Sequence, residues 1–108
     1  LPRLIPDTLD VFNHYKGIMP IAVGTGSDRQ HAQMVLNEHG LLAQLSALVT
    51  ADDVTQGKPH PETFVRAAEL MGVAPQHCVV FEDTDMGRKA AVDGGMACFM
   101  VDNTRLIY

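Results

Sequence analysis

The sequence predicts an α/β fold, a three-layer α/β/α sandwich built on a parallel sheet. Three observations carry this. Four short apolar runs, at residues 21–23, 48–50, 78–81 and 97–101, have strand length and no polar alternation. Stretches with helical periodicity separate them, which is the alternation of an α/β chain. Each connection is long enough for the right-handed crossover that parallel neighbours require.

The elements follow in order. Ile5, Leu9 and Phe12 have helical spacing, so a first amphipathic helix is expected over about residues 7–16, ended by Gly17. Ile21-Ala22-Val23 is the first strand and runs into Gly24-Thr25-Gly26-Ser27. A helix then starts near Ser27 or Asp28, carries Ala32, Val35 and Leu36 on one face, and stops near Gly40. Leu48-Val49-Thr50 is the second strand, followed by a polar loop from residue 51 to 60 that contains Gly57 and Pro59. Pro61 suits the first position of a helix. Phe64, Ala67, Ala68 and Met71 fit the i, i+3, i+4, i+7 pattern, and Gly72 stops the helix. Residues 78–81 form the third strand, residues 85–93 a helix closed by Gly94-Gly95, and residues 97–101 the fourth strand.

Composition sets outer limits. The 108 residues make one domain at most, with 46% hydrophobic and 19% charged residues, as in globular rather than disordered chains. A net charge of -5 argues against a nucleic-acid or anionic-membrane surface. No apolar run approaches the roughly 20 residues of a membrane span, so no membrane partner is expected. Cys78 and Cys98 sit in apolar runs and read as small buried hydrophobes in a reducing compartment, hence a cytoplasmic location. The five histidines have no metal-ligand spacing. The methionines read as core filler.

Polar clusters recur where three of the strands end. In open parallel sheets that is where ligands bind. Val79-Val80-Phe81 leads into Glu82-Asp83-Thr84-Asp85-Met86-Gly87. Carboxylates clustered there suit a hard cation such as Mg²⁺, which takes oxygen ligands and keeps several waters. The same residues also read as a solvated turn capping the next helix, through Thr84 or Asp85. Thr25, Gly26 and Ser27 offer hydroxyls and free amides at a helix start, a setting for phosphate, or equally an ordinary glycine turn with a cap. Lys58, between Gly57 and Pro59, is a point charge on a stiff loop, either aimed at phosphate or solvated.

The order of these clusters is more specific than any one of them. Val23-Gly24-Thr25-Gly26-Ser27, then Gly57-Lys58-Pro59-His60-Pro61-Glu62-Thr63-Phe64, then Val79-Val80-Phe81-Glu82-Asp83-Thr84 resembles motifs two, three and four of the haloacid dehalogenase superfamily. The wording is similar to the β-phosphoglucomutase-like branch and its sugar-phosphate phosphatases, and the resemblance covers about residues 4–101. It implies a Rossmann-like core and Mg²⁺-dependent hydrolysis of a small phosphorylated metabolite, a sugar phosphate. Thr25 matches the hydroxyl that hydrogen-bonds the transferring phosphoryl group, with the Gly26 amide beside it. Lys58 matches the lysine that neutralises phosphoryl charge. Asp83 matches the Mg²⁺ ligand, and Glu82 its neighbour in the same metal site. For Ser27 and Asp85, helix capping is the simpler role.

One part is not in the sequence. The resemblance implies an early strand followed by Asp-x-Asp-Gly-Thr, whose first aspartate is the nucleophile, and then a helical cap domain. No such string occurs; Asp7-Thr8-Leu9-Asp10 and Asp52-Asp53-Val54 do not fit it. Residues 1–108 therefore read as a partial core carrying motifs two to four. In the family the missing strand lies between those of motifs two and four. Without it, the four strands are expected to split into two pairs with exposed inner edges, open to self-association. The start at Leu1 fits a C-terminal portion of a longer phosphatase. The alternatives are a non-catalytic α/β module that binds Mg²⁺ or phosphate, and a phosphotransferase of the β-phosphoglucomutase type. A phosphate-accepting receiver domain orders its acids before its lysine, the reverse of this sequence.

Overall fold

The computed structural model describes residues 12–15 and 17–101. From residue 22 to residue 100, strands and helices alternate: β1 (Ala22–Gly24), α1 (Arg29–Glu38), β2 (Ala47–Val49), α2 (Glu62–Met71), β3 (Val79–Glu82), α3 (Asp85–Asp93) and β4 (Ala97–Met100). Three single 3₁₀ turns, Leu42–Gln44, Ala51–Asp53 and Pro75–His77, join them. Residues 12–15 are helical, and the rest of the helix expected over 7–16 lies outside the described residues.

The strands form two separate parallel pairs, β1 with β2 and β3 with β4. This is the split expected of a sheet without its central strand. Register pairs Val23 with Leu48 and Phe81 with Phe99. Alternation along a parallel ladder turns the peptide groups of Ala22 and Gly24 away from β2. It likewise turns those of Val79 and Phe81 away from β4. One edge of β1 and one of β3 therefore carry no strand partner among the described residues.

Two apolar clusters cover these pairs. Phe12, Leu36 and Leu41 pack with Val23 and Leu48 on one face of β1–β2. On the other, α2 lies across both strands. Phe64 and Ala68 of α2 meet Ala90 and Ala91 of α3, with Cys78 and Met96 closing the cluster and Val80 and Cys98 against it. The two alanines are fully buried, and their small size lets α3 sit close on the strands. The β3–β4 pair differs from the expectation of cover on both faces. Val79 and Phe99, which share a face by register, are exposed, with Phe99 stacked on Phe81 at 5.8 Å between centroids. An unbroken apolar run does not reveal that one face is left without a layer among the described residues. The methionines divide in the same way. Met96 is buried and Met71 packs on the core, whereas Met19, Met34, Met86 and Met100 are exposed rather than core filler.

Helix ends are set by side chains. The cap of α1 is Asp28, whose Oδ1 accepts from the His31 amide at 2.8 Å; Ser27 instead gives its carbonyl to the Ala51 amide. The cap of α3 is Thr84, whose hydroxyl accepts from the Gly87 amide at 3.0 Å, and Asp85 is the first helical residue. Capping thus falls to the neighbours of Ser27 and Asp85.

A clasp behind the β1 turn ties α1 to the end of β2. The Asp53 carboxylate accepts from the Thr50 amide at 2.7 Å and the Thr50 hydroxyl at 2.8 Å, and pairs with Arg29 at 2.5 Å. Arg29 also donates to the Leu48 carbonyl at 3.0 Å, and its amide donates to Asp52. The Thr50 hydrogen bonds, with Arg29 adding to them, hold the Asp53 carboxyl below the usual carboxylate range. A lowered pKa in the folded state gives stability present above the ordinary aspartate value and lost as pH falls through the folded one. Asp53→Asn is expected to cost about 1 kcal/mol, the size of a lost capping interaction. It should also flatten the acid limb of a thermal-stability profile, measured by circular dichroism from pH 7 to 3.

Candidate active site

The candidate residues meet at the carboxyl ends of β1 and β3. Lys58 is the piece that joins them. Its Nζ donates to the Gly24 carbonyl at 3.2 Å and to Glu82 Oε2 at 3.2 Å. One ammonium thus bridges the last residue of β1 and the last residue of β3, across two strand pairs that share no ladder. The lysine is held by its loop. The Glu62 carboxylate accepts from the Thr55 and Gln56 amides at 3.0 and 3.1 Å, and the His60 amide closes a turn on the Gly57 carbonyl. His60 Nδ1 accepts from the Glu62 amide, a loop role well short of the chemistry. The Lys58–Pro59 peptide bond is cis.

Glu82 organises the acid side. Its Oε2 holds Lys58, while Oε1 accepts from the Asp83 amide at 3.0 Å, the Thr84 amide at 3.3 Å and the Thr84 hydroxyl at 3.2 Å. Its side chain is only 10% exposed. Burial alone would raise its pKa, but the Lys58 charge and the hydrogen bonds outweigh this and hold it below the glutamate range. Asp83 moves the other way. Burial, then hydrogen bonding and like charge from Glu82, push its carboxyl up. Two neighbouring oxygen-donor carboxyls, one of them pushed up by burial and then by the other, form a donor set that a hard cation would relieve. Among the described residues no group of three or more His, Cys, Asp or Glu side chains gathers to hold a metal. A Mg²⁺ ion there would take one or two carboxylates and complete its shell with water and phosphate, so the pair fits it.

The hydroxyl side is the turn after β1. The Thr25 amide donates to the Val49 carbonyl at 2.9 Å, and Thr25 Oγ1 accepts from the Ser27 amide at 3.1 Å. This fixes the hydroxyl oxygen and leaves its proton to donate. Gly26 is exposed beside it. Thr25 directly follows Gly24, whose carbonyl Lys58 holds, so hydroxyl, ammonium and carboxylates share one end of the fold. All five predicted residues, Thr25, Gly26, Lys58, Glu82 and Asp83, belong to this constellation.

Two contributors were not visible as site residues in the sequence. The Lys58 ammonium lies over the Phe64 ring, 4.7 Å from its centroid. Phe64 reads as core from its helical spacing, although it also closes the Gly57–Phe64 string that carries the resemblance. Gly87 is the second. A Cβ built there would fall within the Glu82 side chain, so the missing side chain is what lets Glu82 lie against α3. A buried glycine within the first turn of a helix costs about 1 kcal/mol relative to alanine, and that cost was the available signal.

Hydroxyl turn, clasped lysine and carboxylate pair lie at the ends of parallel strands, the place where α/β cores of the open-sheet type bind ligands. The chain belongs to the haloacid dehalogenase-like hydrolase family, whose model matches residues 2–95. It is 47% identical over 88 residues to fructose-1-phosphate phosphatase YqaB of Escherichia coli, covering 82% of this chain and 47% of that protein. It is 38% identical over 86 residues to validoxylamine A 7'-phosphate phosphatase of Streptomyces hygroscopicus, covering 80% and 40%. In structure it is similar to β-phosphoglucomutase from Clostridium difficile, with a TM-score of 0.74 and 25% identity over 94% of this chain and 49% of that one. The chain thus spans about half the length of the curated relatives it matches.

Proposed function

We propose that this chain supplies the phosphate- and metal-binding half of a hydrolase acting on small phosphate esters, sugar phosphates in particular. The observation that carries the reading is the Lys58 ammonium shared between Gly24 and Glu82, beside the Thr25 hydroxyl. The names of the two phosphatases above support ester hydrolysis and a sugar-like substrate. The aspartate nucleophile belongs, in this proposal, to a strand lying between β1 and β3 in a longer polypeptide.

The roles follow from the chemistry. Phosphoryl transfer depends on positioning and charge neutralisation more than on elaborate bond-making by side chains. Thr25 would donate its hydroxyl proton to one phosphoryl oxygen and the Gly26 amide to another. Lys58 would place a point charge on the phosphoryl group. Asp83, with Glu82 beside it, would hold Mg²⁺, which when bound neutralises phosphate charge as a Lewis acid. Glu82 keeps the lysine aimed, through a carboxylate that remains ionised. The free thiols of Cys78 and Cys98 fit a reducing, cytoplasmic setting, which we include in the proposal. Similarity to a β-phosphoglucomutase favours a second reading, phosphoryl transfer between sugar carbons, with the same residues in the same roles.

The test is phosphate release from a panel of sugar phosphates by the intact polypeptide. Activity is expected with Mg²⁺, lost on chelation with EDTA and restored by added Mg²⁺. Asp83→Asn should raise the Mg²⁺ concentration needed for half-maximal rate and lower the rate about 100-fold, the loss typical of one electrostatic group at the transition state. Activity unchanged by EDTA and by Asp83→Asn would contradict the metal assignment.

A further inference from the structure

We propose that Phe64 is a positioning residue for the Lys58 ammonium, over and above its place in the core. Its consequence for phosphate binding rests on the reading of Lys58 given above; the contact itself does not.

The ammonium stands 4.7 Å from the Phe64 ring centroid, inside the range of about 6 Å over which a cation is drawn to an aromatic face. The surroundings make that attraction count. Phe64 is 8% exposed and the Lys58 side chain 18%, so water screens the pair poorly. The ring cannot easily turn away. Its far side lies in the cluster of Ala68, Cys78, Ala90, Ala91 and Met96. Its near side abuts β1, where a Cβ on Gly24 would come within 3.2 Å of Phe64 Cδ1 and Cε1 and 2.9 Å of Thr63 Cγ2. Gly24 is therefore the position at which backbone and ring can approach this closely.

The ammonium thus has three supports of different chemistry: a carbonyl, a carboxylate and a π face. Of its three hydrogens, Gly24 and Glu82 take two. The ring fills a side of the charge that water would otherwise occupy. That leaves one hydrogen for a phosphoryl oxygen. A lysine has a flexible four-carbon stem and much rotamer freedom to lose on binding. A fixed ring beneath its end reduces that loss before the ligand arrives.

The substitution that separates packing from positioning is Phe64→Leu, which keeps an apolar side chain and removes the π face; Phe64→Tyr restores the face. The first readout is the ¹⁵N-ammonium signal of Lys58 in the folded chain, in the presence of Mg²⁺. The second is the affinity for inorganic phosphate, by calorimetry, in the same variants and in a Lys58→Met background. We expect a slowly exchanging ammonium signal in the parent and in Phe64→Tyr, and a rapidly exchanging one in Phe64→Leu. Phosphate affinity should fall about five- to tenfold in Phe64→Leu, recover in Phe64→Tyr, and show no such step once Lys58 is methionine. Identical ammonium signals in the leucine and tyrosine variants, both folded by circular dichroism, would overturn the proposal and return Phe64 to the core alone. Phosphate binding that is unaffected by Lys58→Met would overturn the phosphate role of Lys58, while the ammonium signal still decides the role of Phe64.

Discussion

Lys58→Met is expected to abolish most phosphate-ester turnover of the intact polypeptide, by about 10²- to 10³-fold, as removal of one preorganised donor at a developing charge does. It should also unsettle the fold. Methionine fills much of the stem's volume but leaves Glu82 without its cation, at 10% exposure. Breaking a buried pair by removing one partner costs about 3 kcal/mol at the lower end of the usual range, and Lys58 itself is not fully buried. The double variant Lys58→Met/Glu82→Gln should recover most of that stability, because no buried charge is left unpaired, and none of the activity. Thermal unfolding of the single and double variants measures the first statement, and phosphate release the second. The pair also gives a pH signature. Glu82 titrates below its ordinary range in the folded state. Its contribution is therefore complete above the ordinary glutamate value and is lost as pH falls through the lower, folded one. Lys58→Met should remove that part of the acid sensitivity.

Gly87→Ala is the second large effect, and its sign is the informative part. In an unobstructed helix, alanine is better than glycine by about 1 kcal/mol. Here the added methyl would fall on the Glu82 side chain, and Gly87 is buried. Glu82 would have to leave its seat, giving up Lys58 on one oxygen and the Asp83–Thr84 turn on the other. Overpacking of this kind costs about 1–3 kcal/mol. The expected result is a lower melting temperature together with a loss of activity approaching that of Lys58→Met. A stabilised Gly87→Ala protein with normal turnover would mean that Glu82 does not need this seat.

Much of this architecture is legible in the residues. The four strands and the three described helices lie within a residue or two of where apolar runs and helical spacing put them, because each run is short, unbroken and bounded by glycine or polar clusters. The split into two strand pairs follows from the motif order once the position of the absent strand is considered. That Thr25, Lys58 and the Glu82-Asp83 pair meet at the strand ends was legible from their order along the chain, because polar clusters after successive strands of an open sheet fall at one end of it. What was not legible is the geometry between them. A lysine between glycine and proline says nothing of which carbonyl it will hold, so the Gly24–Lys58–Glu82 bridge had to be seen. Phe64 serves core and site at once, and periodicity reports only the first. Ser27-Asp28 and Thr84-Asp85 each set two capping residues side by side, and the chain path, not composition, selects Asp28 and Thr84. The face of β3–β4 left uncovered among the described residues is hidden for a related reason: an apolar run records the capacity for burial on both sides, whereas cover depends on what lies next to it.

In the proposed function, phosphate and metal binding belong to this chain and the attacking aspartate lies outside it. The most direct measurement is phosphate release from a chromogenic phosphate ester by the 108-residue chain itself, with Mg²⁺, beside the same chain carrying Asp83→Ala. No turnover above background is expected from either. Mg²⁺-dependent turnover by the chain alone, abolished by Asp83→Ala, would contradict that proposal, for a complete catalytic site would then lie among these residues.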